Sequence, residues 1–521
     1  MSKSTATTKK VEIDKIGLSI SLVVVSIIIA YVLIDPVGGK DMFVQVRDFL
    51  NAQLGSFILW MGVACVLICG YLAVSKYGNI KLGKGKVKYK TFTWCAMMFC
   101  ACMGCSLQFW SVIEWSYYYQ SSPLNVATPL TARAAEVGLG YALFHWGVTP
   151  WAFYAIGTIA MAYMYYNRNS GGLNCSNICE GVIGKKGVNG APGRAIDTVF
   201  NICIVLGLAC TFGTGTYMLS AGWADILGIQ NTVTVSIVVI LSVAVVFVLT
   251  SYVGLDKGMA KLADINTYYA IFFAVLMFIL GPTAFILNST TNSIGFVISN
   301  FFEMSLWTDP IAKSMFPESW TMFYWSFWIG TAPFFWVFTA KISEGRRIKE
   351  VIKWMMIAGL SGTLLYFGVF SNFAISYQLD GTFDMVLAVS TVGGDTAISQ
   401  FLRNLPGGMF SLVSWTIVGT MFLATSMDSG GFALAANTQK GLKMGDEPSK
   451  FLRLFWCLVL TALPIGFIMS GAPIDAFKAS ANIAGIPILL VLTFAIITLF
   501  KYLNQDHGKK TAGEIQKEFQ D

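Results

Sequence analysis

Twelve apolar runs, most of them about twenty residues long and separated by short charged connectors, constrain this chain more than any other feature. An α-helix rises about 1.5 Å per residue, so about 20 apolar residues cross the roughly 30 Å hydrocarbon core with every main-chain group bonded internally. The cores of these runs fall near 16–34, 56–75, 91–115, 139–165, 196–220, 232–254, 266–287, 320–340, 352–375, 408–438, 451–470 and 482–503. With 55% hydrophobic and 12% charged residues among 521, no polar stretch is long enough for a separate domain. The fold class is an all-α, polytopic membrane protein with 12 transmembrane helices. The first run follows a polar, basic start without a small-residue cleavage pattern, which marks a retained span.

Lys and Arg sort strongly to one side of these spans. Alternate connectors carry clusters such as Lys81 to Lys90, Lys185 with Lys186 and Arg194, and Arg346 with Arg347 and Lys349. The opposite connectors carry only Lys40, Arg47, Arg133, Lys313, Arg403 and Lys478. The basic side is the cytoplasmic one, so both termini are expected in the cytoplasm. The net charge of +7 belongs to these inner loops and implies anionic membrane lipid, not nucleic acid, as the neighbour. Nine of eleven cysteines lie within apolar runs as small apolar residues, and the remaining pair, Cys175 and Cys179, forms a CxxxC without His, a weak metal motif.

The eighth run, Trp320 to Trp336, packs nine aromatic rings into seventeen residues. A ring face attracts a cation within about 6 Å of its centroid, by about 2 kcal/mol or more when water is excluded. Such a surface can hold a permanent cation without a buried carboxylate. Helical spacing puts Trp325 and Trp328 on one face, and Phe327, Thr331 and Phe335 on another. Trp146 and Trp151 in the fourth run, with Tyr117, Tyr118 and Tyr119 after the third, could close a cage; a ring taken alone is more often a lipid-facing or interfacial anchor than a ligand contact. Small or helix-breaking residues interrupt the third run at Cys100 to Ser106 and the eighth at Gly330 to Pro333. Such breaks mark midplane sites in transporters, or simply close packing. Gly295 to Leu306 reads as a surface helix or as an ordinary loop.

FHWGVTPW, TDPIAKSMFPESWTMFYWSFW, the following KISEGRRIKE, and FWSVIEWSYYY resemble the betaine/choline/carnitine transporter family, over nearly the whole chain. The resemblance implies a LeuT-like five-plus-five inverted repeat with two extra N-terminal helices. It divides the chain into 1–90 (tail and extra helices), 91–290 (first repeat), 291–319 (outer helix and loop), 320–503 (second repeat) and 504–521 (short tail). It also implies a homotrimer in a bacterial or archaeal cell membrane, carrying a small quaternary or methylated amine. Carried over residue by residue, the substrate box is Tyr117, Trp146, Trp325, Phe327, Trp328 and Phe335, with Trp320 at the outer approach. Where the family commonly has Trp-Trp and a further ring three residues on, this chain has Phe327, Trp328 and then Thr331, so the cage is thinner and Thr331 supplies a hydrogen bond instead.

Thr425 and Ser426 resemble the family's sodium-ligating pair, and Cys100 and Met103 match residues whose carbonyls complete that site. Sodium is then the coupling ion, and no other cofactor is implied. Family exchangers that dispense with sodium place an arginine where this chain has Ala260, although Lys261 stands beside it. A sodium-independent exchanger of the carnitine/butyrobetaine type is therefore the alternative. Asp428 reads either as tuning the sodium pair or as an inner-face acid, Glu114 as a structural cap of the third span, and His145 as a packing residue. Thr211 and Thr214 are weak candidates for a second sodium. No nucleophile, acid/base pair or phosphate loop is in a credible setting, which argues against an enzyme.

Overall fold

Each of the twelve apolar runs falls mainly on helix in the computed structural model, which describes residues 12–102, 104–121, 123–442, 446–471 and 474–519. In chain order these are α1 (Lys15–Ile34), α2 (Pro36–Val74), α3 (Thr91–Cys102), α4 (Gly104–Tyr119), α5 (Ala132–His145), α6 (Val148–Ala162) and α7 (Glu180–Val188). There follow α8 (Ala191–Leu227), α9 (Val233–Val253), α10 (Ala260–Leu280), α11 (Thr283–Leu306), α12 (Met322–Ile342), α13 (Ile348–Tyr366) and α14 (Asn372–Asp380). The last are α15 (Met385–Val392), α16 (Gly394–Asn404), α17 (Met409–Thr438), α18 (Lys450–Met469), α19 (Ile474–His507) and α20 (Ala512–Glu518). Among the described residues nine helices are long and apolar enough to cross a membrane, or ten with the bent pair α3 and α4.

Local chemistry sets the ends. Asp35 accepts from the Gly38 N–H at 2.9 Å to start α2, and Thr131 and Thr232 cap α5 and α9 through their hydroxyls. Gly228 ends α8 in the left-handed conformation, φ +67°.

The breaks differ from the pattern read in sequence. The third run does bend, by 65° between α3 and α4, with Gly104 at φ +32°. The eighth run does not: α12 runs unbroken through Pro333. Gly330 serves packing instead, since a Cβ there would lie 2.8 Å from the Ala481 carbonyl of α19. Gly485 of α19 meets the Ser326 main chain in the same way, so small residues bring these two helices together. An unexpected break splits the fourth run at Trp146 and Gly147, between α5 and α6. The segment from Gly295 to Leu306 is helical, as the second half of the longer α11.

Basic connectors hold one end together. Residues 80–82 pair with 346–348 through an antiparallel bridge, Arg346 lies over the Trp94 ring at 4.5 Å, and Arg347 donates to the Phe519 carbonyl. Asp14 likewise faces Arg194 at 3.6 Å and Lys440 at 4.0 Å.

Asp428 is buried in α17, two and three residues beyond Ser426 and Thr425. It accepts from the Arg453 guanidinium at 2.8 Å and from the Thr250 hydroxyl at 3.0 Å, tying α17 to α18 and α9. Removing one partner of a buried ion pair costs about 3–5 kcal/mol, whereas replacing both by apolar groups is often neutral. Arg453→Met is therefore expected to lower the thermal unfolding midpoint strongly in detergent, and Asp428→Leu added to it to recover most of the loss. Equal midpoints for wild type and the single variant would refute the pairing.

Candidate functional site

The rings of α12 sort by helical position into two groups. Trp320, in a π-helical turn just before α12, Tyr324 and Trp328 recur every four residues and stack with interplanar angles of 24°, at centroid steps of 6.4 and 6.2 Å. Trp328 meets Trp146 at 4.7 Å and 85°, so the two indoles form perpendicular walls. Phe327 at 4.9 Å and Tyr154 at 6.1 Å from Trp328, with Phe367 at 5.4 Å from Trp146, complete a buried group.

Not every expected ring joins it. Trp325 turns the other way, to Phe144 at 5.2 Å and to Gly62 of α2, where an added Cβ would lie 3.0 Å from its indole nitrogen. Tyr324, one residue earlier, occupies the place expected of Trp325, because an i to i+4 step keeps it in register with Trp328. Phe335 reaches the group through Tyr154, at 4.6 Å. Thr331 donates within its own helix to Phe327 at 2.9 Å and lies 3.1 Å from the Tyr154 hydroxyl. Trp151 packs on Gly359 of α13. Tyr117 lies with Trp320 at 5.2 Å and Trp110 at 6.4 Å, at the Trp320 end of the stack and not at the two indole walls.

A buried carboxyl group also stands at this site, that of Glu114. Glu114 accepts from the Tyr118 hydroxyl at 2.7 Å, the Trp146 indole N–H at 2.8 Å and the Tyr324 hydroxyl. It is a hub joining α4, α12 and the junction of α5 with α6, more than a cap on the third span. The donors were visible in the motifs, but their convergence on one acid depends on the break at Gly147. Pro150, at the third residue of α6, was the available signal for that break. His145 stacks on Tyr324 at 4.8 Å and bonds to the Tyr118 and Thr321 hydroxyls at 2.8 and 3.1 Å.

The break also frees main-chain oxygens at the end of α5. The His145 carbonyl accepts from the Trp328 indole at 3.0 Å, and the Trp146 carbonyl from the Thr363 hydroxyl at 2.8 Å. At the other break, the Thr425 and Ser426 hydroxyls converge on the Cys100 carbonyl at 3.4 and 3.2 Å. A side chain on Gly104 would come within 2.7 Å of the Ser426 hydroxyl, so glycine permits that approach. These three oxygens are hard donors of the kind a small alkali cation takes. Met103 lies outside the described residues. Thr214 returns its hydroxyl to the Cys210 carbonyl of its own helix. Ala260 is buried and Lys261 exposed, so the lysine does not take the alanine's place.

Long apolar helices around a buried group of rings define a polytopic membrane protein, and comparison with known proteins gives its family. A family model described as betaine/carnitine/choline family transporter matches residues 18–508, and the chain belongs to that family. It is 38% identical over 467 residues to a carnitine transporter of Acinetobacter baumannii, covering 88% of this chain and 83% of the relative. It is 36% identical to the uncharacterized transporter YeaV of Escherichia coli, covering 86% of this chain and 92% of that one. It is 32% identical to the glycine betaine transporter OpuD of Bacillus subtilis, covering 96% and 97%. The protein is thus a membrane transporter, not an enzyme.

An intramolecular hydrogen bond contributes about 0.5–1.5 kcal/mol net. Tyr324→Phe keeps the ring and deletes one donor to Glu114, so unfolding stability is expected to fall by about that amount. No change in the unfolding midpoint would show that the hub does not hold the rings.

Proposed function

We propose that the protein is a secondary carrier that imports a quaternary or methylated ammonium solute by alternating access, with sodium as the coupling ion. The observation that carries this reading is the perpendicular pair Trp146 and Trp328, buried beside Tyr324 and anchored through Glu114 and the His145 carbonyl. Indole faces held away from water replace the hydration of a methylated ammonium group, whose charge is too diffuse to need a hydrogen bond. The relatives named for carnitine and glycine betaine support a zwitterion as the cargo. Phe327, Thr331 and Phe335 belong to the wall below Trp328, Tyr117 and Trp320 to the outer approach, and Trp325 is left out of the box.

Sodium, as cargo, is assigned to Thr425, Ser426 and the Cys100 carbonyl, with the Met103 carbonyl from the family pattern. One charge moving down 100 mV releases about 2.3 kcal/mol, to which the concentration gradient adds. Burial of Ala260, with Lys261 directed outward, supports sodium coupling over exchange. The twelve-span arrangement, with spans three to twelve as a five-plus-five inverted repeat, a homotrimer and cytoplasmic termini, completes the proposal. Contacts of Asp14 with Arg194 and Lys440, and of Arg347 with Phe519, support a common basic side for both ends.

Two variants have opposite signatures in proteoliposomes. Trp328→Ala is expected to weaken amine binding at every sodium concentration, by about thirtyfold if the ring contributes about 2 kcal/mol. Thr425→Ala with Ser426→Ala is expected to raise the sodium needed for half-maximal uptake several-fold while amine affinity at saturating sodium changes little. Unchanged sodium dependence in the double variant, or undiminished counterflow of wild type without sodium, would favour the exchanger.

A further inference from the structure

Lys478 is a cation in an unusual place. It lies near the start of α19, is 9% exposed, and points its ammonium at ring faces: 4.3 Å from the centroid of Trp320, 4.6 Å from Phe323 and 5.6 Å from Trp110. A buried ammonium is ordinarily matched by a carboxylate. Among the described residues none forms an ion pair or hydrogen bond with this one. Asp475, a turn earlier on the same helix, is exposed, and Glu114 is committed to its three donors. The ring contacts recover only part of the lost hydration, and all three N–H donors of the ammonium stay available.

Its position along the ring stack gives that capacity a use. Trp320 leads through Tyr324 to Trp328, so Lys478 stands at one end of the stack and the indole walls at the other. Eight residues of helix separate the two ends, on the order of 12 Å. A carboxylate-free cation moving toward Trp146 and Trp328 meets a like charge and gains nothing from it. A ring contact of up to about 6 Å, the few ångströms between the charges of a zwitterion and a hydrogen bond of about 2.9 Å together match that span, so a zwitterion can turn its carboxylate to the lysine while its methylated nitrogen goes to the indoles.

Resting on the transport reading above, we infer that the Lys478 ammonium anchors the substrate carboxylate and sets the preference for zwitterionic over carboxylate-free quaternary amines. The residue acts on specificity, and the indole walls supply the affinity common to both classes.

Titration calorimetry on the full-length protein in lipid nanodiscs tests this with carnitine, glycine betaine, choline and the methyl ester of glycine betaine. Wild type is expected to bind the ester at least tenfold more weakly than glycine betaine. Lys478→Met is expected to lose at least tenfold in affinity for carnitine with choline unchanged or improved, and Lys478→Arg to keep the wild-type order. Equal binding of betaine and its ester by wild type overturns the anchor without any variant needing to fold. A carnitine-to-choline ratio unchanged in Lys478→Met does the same, as does a gain in affinity for both, which would make the lysine a mere competitor for the rings. Absence of binding by wild type to every one of these amines removes the transport reading, and this inference with it.

Discussion

Glu114 fixes the geometry of the aromatic site by drawing three donors from three places in the chain to one carboxyl group. Tyr118 comes from its own helix, Trp146 from the junction of α5 and α6, and Tyr324 from α12. Ring packing alone tolerates many orientations, because edge-to-face and offset stacks differ little in energy. Hydrogen bonds to a buried acid do not, since an unmet donor there costs about 1–3 kcal/mol. The acid therefore sets the direction of each indole and phenol, and the rings fill the space that remains. Carriers of this design have a reason to prefer Tyr and Trp over Phe at the hub positions, which is the presence of a donor on the ring.

The two helix breaks obey a second rule, that no main-chain carbonyl within a membrane stays unmet. At Trp146 the freed oxygens of α5 are taken by the indole of Trp328 and the hydroxyl of Thr363. At Gly104 the oxygen of Cys100 is taken by the hydroxyls of Thr425 and Ser426. In each case a side chain from a different helix claims the broken end, so that breaking a helix also joins two helices. One junction positions an aromatic wall and the other gathers three oxygens. Each is a local solution to the same hydrogen-bonding demand.

Length and apolarity made the helical runs and their short connectors legible, because bilayer thickness leaves few alternatives. The bend in the third span was legible as well, from the glycine at 104. Less could be read wherever side-chain direction mattered. Trp325 and Trp328 are only three apart, yet the small residue Gly62 offers Trp325 a place against α2, and Tyr324 falls in register instead. The glycine and proline at 330 and 333 looked like a break, yet the helix runs unbroken through the proline and the glycine packs against α19. Glu114 and Asp428 were each visible as acids in apolar surroundings, but their partners lie up to 210 residues away and belong to tertiary structure.

The claim on which the functional account turns is that the indoles of Trp146 and Trp328 take up the methylated ammonium. An experimental structure of the protein in lipid, determined with carnitine or glycine betaine bound, tests it most directly. The account predicts the quaternary nitrogen within about 6 Å of both ring centroids. Nitrogen density against Trp325, or anywhere away from those two indoles, would contradict it.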